Sequence, residues 1–233
     1  MNDIKNRLLT IQDEIQNAAR ASDRNPDEVL LVSVSKRKSA ATVKEAVDAG
    51  VTILGENYIQ EAIDKIETLG EIPAAWHFIG HLQSNKARFA VKHFDLIHTV
   101  DSLKLAKEID KQAKKIDKTQ KILIQINISQ EESKSGTTAN DALALVKEVS
   151  ALGNVSIKGL MGMPPFFGAP EKARPFFKAL ARIKSAIEQE NIPNVSMDHL
   201  SMGMSGDFEV AIEEVATLVR VGTAIFGARS YHS

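Results

Sequence analysis

Ile4, Leu8, Ile11, Ile15 and Ala18 recur at steps of three and four residues, the period of a helix with one apolar stripe. The following stretch ASDRNPDE, residues 21–28, is a cluster of turn formers. From there the period changes, and short β-branched runs alternate with helical patterns. The runs predict strands over Leu30–Ser35, Thr52–Asn57, Trp76–Gly80 and Asp95–Val100. Four more follow at Ile122–Ser129, Val155–Met163, Met197–Met202 and Leu218–Gly222. Helical patterns fill the intervals: Ala40–Ala49, a stretch ending at Leu69, a short one after Ser84, and Ser102 to about Lys115. Three more cover about Asn140–Leu152, Pro170–Glu190 and Asp207–Ala216.

Eight strands separated by helices imply right-handed βαβ units and a parallel sheet. Eight such units fit a closed α/β barrel, the (β/α)8 or TIM fold, better than a doubly wound sheet. A doubly wound nucleotide-binding sheet carries a glycine fingerprint after its first strand, and here that position holds Lys36-Arg37-Lys38. With no linker-like or low-complexity tract and no internal repeat, residues 1–233 are expected to form one domain behind an extra N-terminal helix.

Composition narrows the function classes. The chain is 43% hydrophobic and 25% charged with a formal net charge of -1, so no global field favours nucleic acid or a membrane surface. Cysteine is absent, which excludes disulfides, thiolate catalysis, iron–sulfur clusters and cysteine-based zinc sites. The opening MNDIKNRLLTIQDEIQ lacks the order of a signal peptide and is too acidic for a transit peptide, and no apolar run reaches membrane-spanning length. The expectation is a cytoplasmic protein.

In a (β/α)8 barrel the chemistry sits at the carboxyl ends of the strands. Strand one ends at Ser35-Lys36, strand two at Glu56-Asn57, strand three at Gly80-His81 and strand eight at Arg220-Val221-Gly222-Thr223. A lysine in a barrel mouth is partly desolvated, and neighbouring cations add to the effect; both favour the neutral amine that attacks aldehydes. Taken alone, Lys36-Arg37-Lys38 reads as a solvated basic turn. The loops after strands seven and eight alter that balance. They read SMGMSGD and GTAIFG, and barrels often bind phosphate between these two loops at a short extra helix. Gly203, Gly206 and Gly222 let backbone N–H groups approach an anion, Ser201, Ser205 and Thr223 add hydroxyls, and residues 224–227 could form the helix. Arg220 could donate to a pyridine nitrogen, or pair with Glu56 or Asp198.

Two other patterns lead nowhere. His77 and His81 resemble a metal pair, but four strand residues span roughly 13 Å, too far to chelate one ion together. Ser33-Val34-Ser35-Lys36 matches the S-x-x-K pattern of penicillin-recognising enzymes, but that pattern works on a helix with partner motifs absent here.

The segments LVSVSKRK, LGENYIQE, WHFIGHLQSNK, IHTVDSLKLA, IQINISQEESKSG, GLMGMPP, LSMGMSGDFEVAI and VRVGTAIFGAR, in this order, resemble the pyridoxal phosphate homeostasis protein family. That family is similar to the N-terminal barrel of alanine racemase. The resemblance spans Leu31 to Tyr231 and implies that Lys36 holds pyridoxal 5'-phosphate as a Schiff base. It also implies Asn57 beside the ring substituents, His81 near the ring and Arg220 at the pyridine nitrogen. Ser201, Gly222 and Thr223 are implied at the phosphate, with Met204 and Ser205 in the same loop. Family members often carry threonine after the lysine, where this chain has Arg37. Lys134, in the loop after strand five, reads as a solvated lysine or as a second amine.

Racemases of this kind use a second base, usually a tyrosine from an additional β-rich domain. Here the tyrosines are Tyr58 and Tyr231, and no second domain is expected after the last strand. The resemblance therefore implies a monomeric, non-catalytic carrier that stores, buffers or delivers the cofactor, with transient apo-enzyme partners. An amino-acid racemase-like enzyme is the alternative. A cofactor-free Schiff-base aldolase is disfavoured, because such lysines usually lie on a middle strand.

Overall fold

The computed structural model describes residues 3–129, 131 and 135–227. Helix α1 (Asp3–Ala21) precedes eight parallel strands, β1 (Leu30–Val34), β2 (Ile53–Glu56), β3 (Ala75–Phe78), β4 (Leu96–Val100), β5 (Gln120–Ile126), β6 (Val155–Gly162), β7 (Val195–Met204) and β8 (Leu218–Val221). They close in sequence order, β1 pairing with both β2 and β8. The connecting helices are α2 (Ala40–Asp48), α3 (Ile59–Leu69), α4 (Ala87–His93), α5 (Leu103–Lys114), α6 (Ala142–Ser150), α7 (Arg174–Gln189) and α8 (Phe208–Glu213). A last single turn, α9 (Thr223–Phe226), follows β8. The (β/α)8 barrel and the extra helix expected from the hydrophobic pattern are both present.

Strand alternation divides the core in two. On one face of the strands, residues such as Leu54, Ile97, Ile122, Leu200 and Val219 pack against the helices in one large cluster. On the other face, Val32, Leu96, Leu123, Met161 and Leu218 fill the barrel interior. Helix α1 buries Ile4, Leu8, Ile11, Ile15 and Ala19 and packs on α8, α9 and α2. Arg24, just after it, donates to the carbonyls of Ile212 (2.7 Å) and Ala216 (2.8 Å), satisfying the end of α8.

The ends of three strands differ from the pattern by two residues or more, β3 stopping at Phe78, short of Gly80. β7 runs past Met202 to Met204, and its register against β8 shifts between Ser201 and Met204. Gly203 makes this bulge possible: its φ is +86°, and a Cβ there would lie 2.6 Å from the Ala211 side chain of α8. β5 stops at Ile126, short of Ser129, because the loop returns across its end. Asn127 N–H donates to Thr137 O at 2.8 Å, and Thr137 N–H to Gln125 O at 2.9 Å.

Candidate cofactor site

The carboxyl ends of β1, β2, β7 and β8 enclose a cavity of about 210 Å3. Seven of the nine residues expected at the site line it: Lys36, Asn57, Met204, Ser205, Arg220, Gly222 and Thr223. Val34, Ile79 and Met163 supply its apolar wall, which the sequence did not single out.

Lys36 lies two residues beyond the end of β1, and both peptide groups flanking it are held from the same side. Ser35 N–H donates to Gly55 O at 3.0 Å, which continues the β1–β2 ladder. Ser35 O accepts from the Lys65 ammonium of α3 at 2.7 Å, and Ser35 Oγ donates to Glu56 Oε1 at 2.6 Å. Arg37 N–H donates to Glu61 of α3. Lys65 also pairs with Glu56 at 2.7 Å and with Glu61 at 2.6 Å. Burial lifts the Glu56 carboxyl above its ordinary pKa, with Lys65 opposing that rise.

This cluster holds Arg37 in a left-handed backbone conformation (φ 62°), costly for a residue with a Cβ, and thereby turns Lys36 and Arg37 in different directions. The Arg37 guanidinium leaves the cavity and lies over the Tyr58 ring, 5.8 Å from its centre. Lys38 is drawn off as well, donating to Phe226 O (3.0 Å) and Gly227 O (3.3 Å) at the end of α9. Of the three basic residues, only Lys36 lines the cavity.

Opposite Lys36 the bulge at Gly203 delivers Met204 and Ser205 beside the start of α9. Asp207 pins the turn, accepting from Met204 N–H at 2.6 Å and donating its own N–H back to Met204 O at 3.0 Å. Gly222 N–H donates to Ser205 Oγ at 3.4 Å. The first bonds of α9 are donated by Ile225 and Phe226 to Gly222 O, so the N–H groups of Thr223 and Ala224 precede the helix's own ladder. Together with the Ser205 and Thr223 hydroxyls they make a candidate anion cradle.

Arg220 closes the cavity from below. It is only 4% exposed, and burial lowers its pKa to about 10, an effect partly opposed by Asp207. Its Nη1 donates to Ser201 Oγ at 2.5 Å and its Nη2 to Gly162 O at 3.2 Å. Neither ion pair considered for it forms: Glu56 pairs with Lys65, and Asp198 faces Lys158 at 3.9 Å. Among the described residues no carboxylate lies within ion-pair distance of this guanidinium.

Two expected site residues lie elsewhere. Ser201 is fully buried below Arg220, its hydroxyl engaged by Arg220 and, at 2.9 Å, by His98 Nδ1. The bulge at Gly203 separates it from Ser205 and Thr223, and it does not line the cavity. His81 is exposed, 3.3 Å from Ser135 Oγ, and lines a neighbouring cavity of about 240 Å3 that shares the Asn57 wall. His77 turns into the barrel onto His98 at 3.0 Å, away from His81. Lys134 and Tyr231 lie outside the described residues.

An amine, a buried guanidinium and an anion cradle surround one small cavity, and the Asn57 Oδ1 atom on its wall is buried without a hydrogen-bond partner. That donor set fits a planar ligand with a carbonyl carbon, a ring acceptor and a phosphate.

Comparison with known proteins gives the same family. The model of the alanine racemase N-terminal domain matches residues 10–230. The pyridoxal phosphate homeostasis protein of Escherichia coli K12 is 43% identical over 99% of both chains. That of Aquifex aeolicus is 40% identical over 97% of this chain and 98% of its own. The structure of PipY from Synechococcus elongatus PCC7942 with PLP bound superposes with a TM-score of 0.84 at 37% identity, covering 96% of this chain and all (100%) of that one. The chain belongs to the pyridoxal phosphate homeostasis proteins, within the alanine racemase N-terminal domain family.

Proposed function

We propose that this protein binds pyridoxal 5'-phosphate reversibly, as a Schiff base on Lys36, and serves to store, buffer or deliver it rather than to turn over a substrate. The observation that carries this reading is the convergence of Lys36, Arg220 and the Ser205–Thr223 cradle on one cavity. When bound, the cofactor supplies an aldehyde that condenses with an amine to an imine and water, and the same water reverses the bond.

The chain's own residues do the holding. Lys36 supplies the amine, and the clamp on Ser35 and Arg37 fixes where that amine can reach. The Ser205 and Thr223 hydroxyls and the first N–H groups of α9 take the phosphate. Arg220, charged and able only to donate, faces the ring nitrogen and keeps it unprotonated. Asn57 offers its unpaired carbonyl oxygen to the ring substituents. The Tyr58 ring is 46% exposed and stacked by Arg37, so it does not supply a base within the cavity. No described helix is long and apolar enough to cross a membrane. We place the protein in the cytoplasm as a monomer with transient apo-enzyme partners.

The test is borohydride reduction of the loaded protein followed by peptide mass spectrometry. The expected result is one reduced cofactor on the peptide containing Lys36 and none on Lys36→Ala; a protein that takes up no cofactor overturns the reading. Incubating the loaded protein with L-amino acids under circular dichroism separates carrier from racemase, since sustained loss of optical activity would refute the non-catalytic role.

A further inference from the structure

Below the cavity a row of hydrogen bonds descends through the barrel interior. Arg220 Nη1 of β8 donates to Ser201 Oγ of β7 at 2.5 Å. Ser201 Oγ lies 2.9 Å from His98 Nδ1 of β4, and His98 Nε2 lies 3.0 Å from His77 Nδ1 of β3. All four side chains are buried, and the two rings stand tilted with their centres 5.1 Å apart. Four strands thus contribute one file of polar groups beside the apolar interior cluster of Val32, Leu96, Leu123, Met161 and Leu218.

The protons in this file can be placed. A guanidinium only donates, so Arg220 occupies one lone pair of Ser201. Burial drives the His77 pKa down to about 3 and holds His98 well below its ordinary value, so both imidazoles are neutral with one N–H each. Were His98 protonated on Nδ1, it would donate to Ser201, and the serine's own O–H would have no acceptor in the dry interior. Among the described residues its partners are Arg220 and His98. With the proton on Nε2 the serine hydroxyl and both His98 nitrogens are used. Ser201 O–H donates to His98 Nδ1, and His98 Nε2–H donates to His77 Nδ1. A hydroxyl that donates is also a stronger acceptor.

Building on the cofactor reading above, we propose that Ser201 and His98 are positioning residues for Arg220. This oriented chain, with both histidines in the Nε2–H form, presents the serine lone pair to the guanidinium and fixes its other edge against the ring nitrogen of the bound cofactor. The serine placed at the phosphate by resemblance acts instead from beneath the ring.

The test has two arms. In 15N-histidine-labelled protein without cofactor, ring nitrogen shifts assigned with His77→Gln and His98→Asn should report Nε2–H at both positions; Nδ1–H at His98 overturns the proposal. In the second arm, pyridoxal 5'-phosphate labelled with 15N in its ring is titrated into wild type, His98→Phe and His98→Asn. His98→Phe should weaken binding roughly tenfold, the loss of about one buried hydrogen bond, and move the ring 15N shift. His98→Asn, whose amide oxygen can accept from Ser201, should return both toward wild type. Identical affinity and shift in all three overturns the proposal, and Ser201→Ala takes the place of His98→Phe should that variant not fold. Failure of wild type to bind the labelled cofactor would defeat the cofactor reading, while the first arm still decides the proton order.

Discussion

Replacing Lys65 with methionine removes the ammonium that gathers Glu56, Glu61 and the Ser35 carbonyl, while keeping the length of the side chain. Glu56 is 0% exposed and Lys65 is 4% exposed. The variant therefore leaves a carboxylate buried with only the Ser35 hydroxyl donating to it. Breaking a buried pair from one side costs about 3–5 kcal/mol. For a chain of this size that is roughly 6–20 °C in Tm. The pH dependence identifies the cause. Glu56 already titrates above its ordinary value because of burial, and losing Lys65 raises it further. A carboxyl raised in the folded state contributes its stability below its unfolded pKa and loses it as pH rises through the folded pKa. The gap between variant and wild type should thus be small in acid and widen toward neutral pH. Urea unfolding of both proteins across that range measures it. The double variant Lys65→Met/Glu56→Gln should recover most of the loss, since a buried pair replaced on both sides is often nearly neutral. A single-variant cost under about 1 kcal/mol at neutral pH, or one that does not change with pH, would refute the clamp as a charge-compensated unit. Cofactor affinity should fall in the single variant, because the Ser35 and Arg37 peptides that fix Lys36 lose their anchor.

Gly203→Ala should destabilise the fold by about 1–3 kcal/mol, since a Cβ at 2.6 Å from Ala211 is added to a backbone with φ +86°. Cofactor affinity, read by fluorescence titration, should fall with it because the bulge carries Met204 and Ser205; unchanged stability would refute the packing argument. Ser205→Ala combined with Thr223→Ala should weaken cofactor retention tenfold or more at about one hydrogen bond each, with the Tm of the cofactor-free protein within a few degrees of wild type. Equal retention in dialysis would place the phosphate elsewhere. Arg220→Gln should unload the cofactor more readily and shift its visible absorbance, and an unaltered spectrum would remove Arg220 from the ring nitrogen.

The barrel was legible because its signals are local. Period changes, turn clusters and the Lys36-Arg37-Lys38 segment each occupy a few adjacent residues, and the rule that chemistry collects at strand ends converts them into a site. The interior file was harder to see for a physical reason. Ser201 and His98 are 103 positions apart, and only barrel closure brings them together. Alternation nevertheless carried part of the answer. Leu200 and Met202 pack outward against the helices, as do Val219 and Val221, so Ser201 and Arg220 must face the interior on the same parity. Reading SMGMSGD as one flat loop hid that parity, and it assigned Ser201 to the phosphate together with Ser205. The Gly203 bulge is what separates them: Ser201 remains a strand residue against Arg220, whereas Ser205 lines the cavity. Lys65 escaped notice because it lies on the inward stripe of α3 between Ala62 and Ile66, where a cation has no place unless a buried acid awaits it. A charged residue on an apolar stripe, next to a strand ending in glutamate, is therefore a sequence signal for a clamp of this kind. Here the clamp sits directly behind Lys36, whose amine side chain lines the cavity.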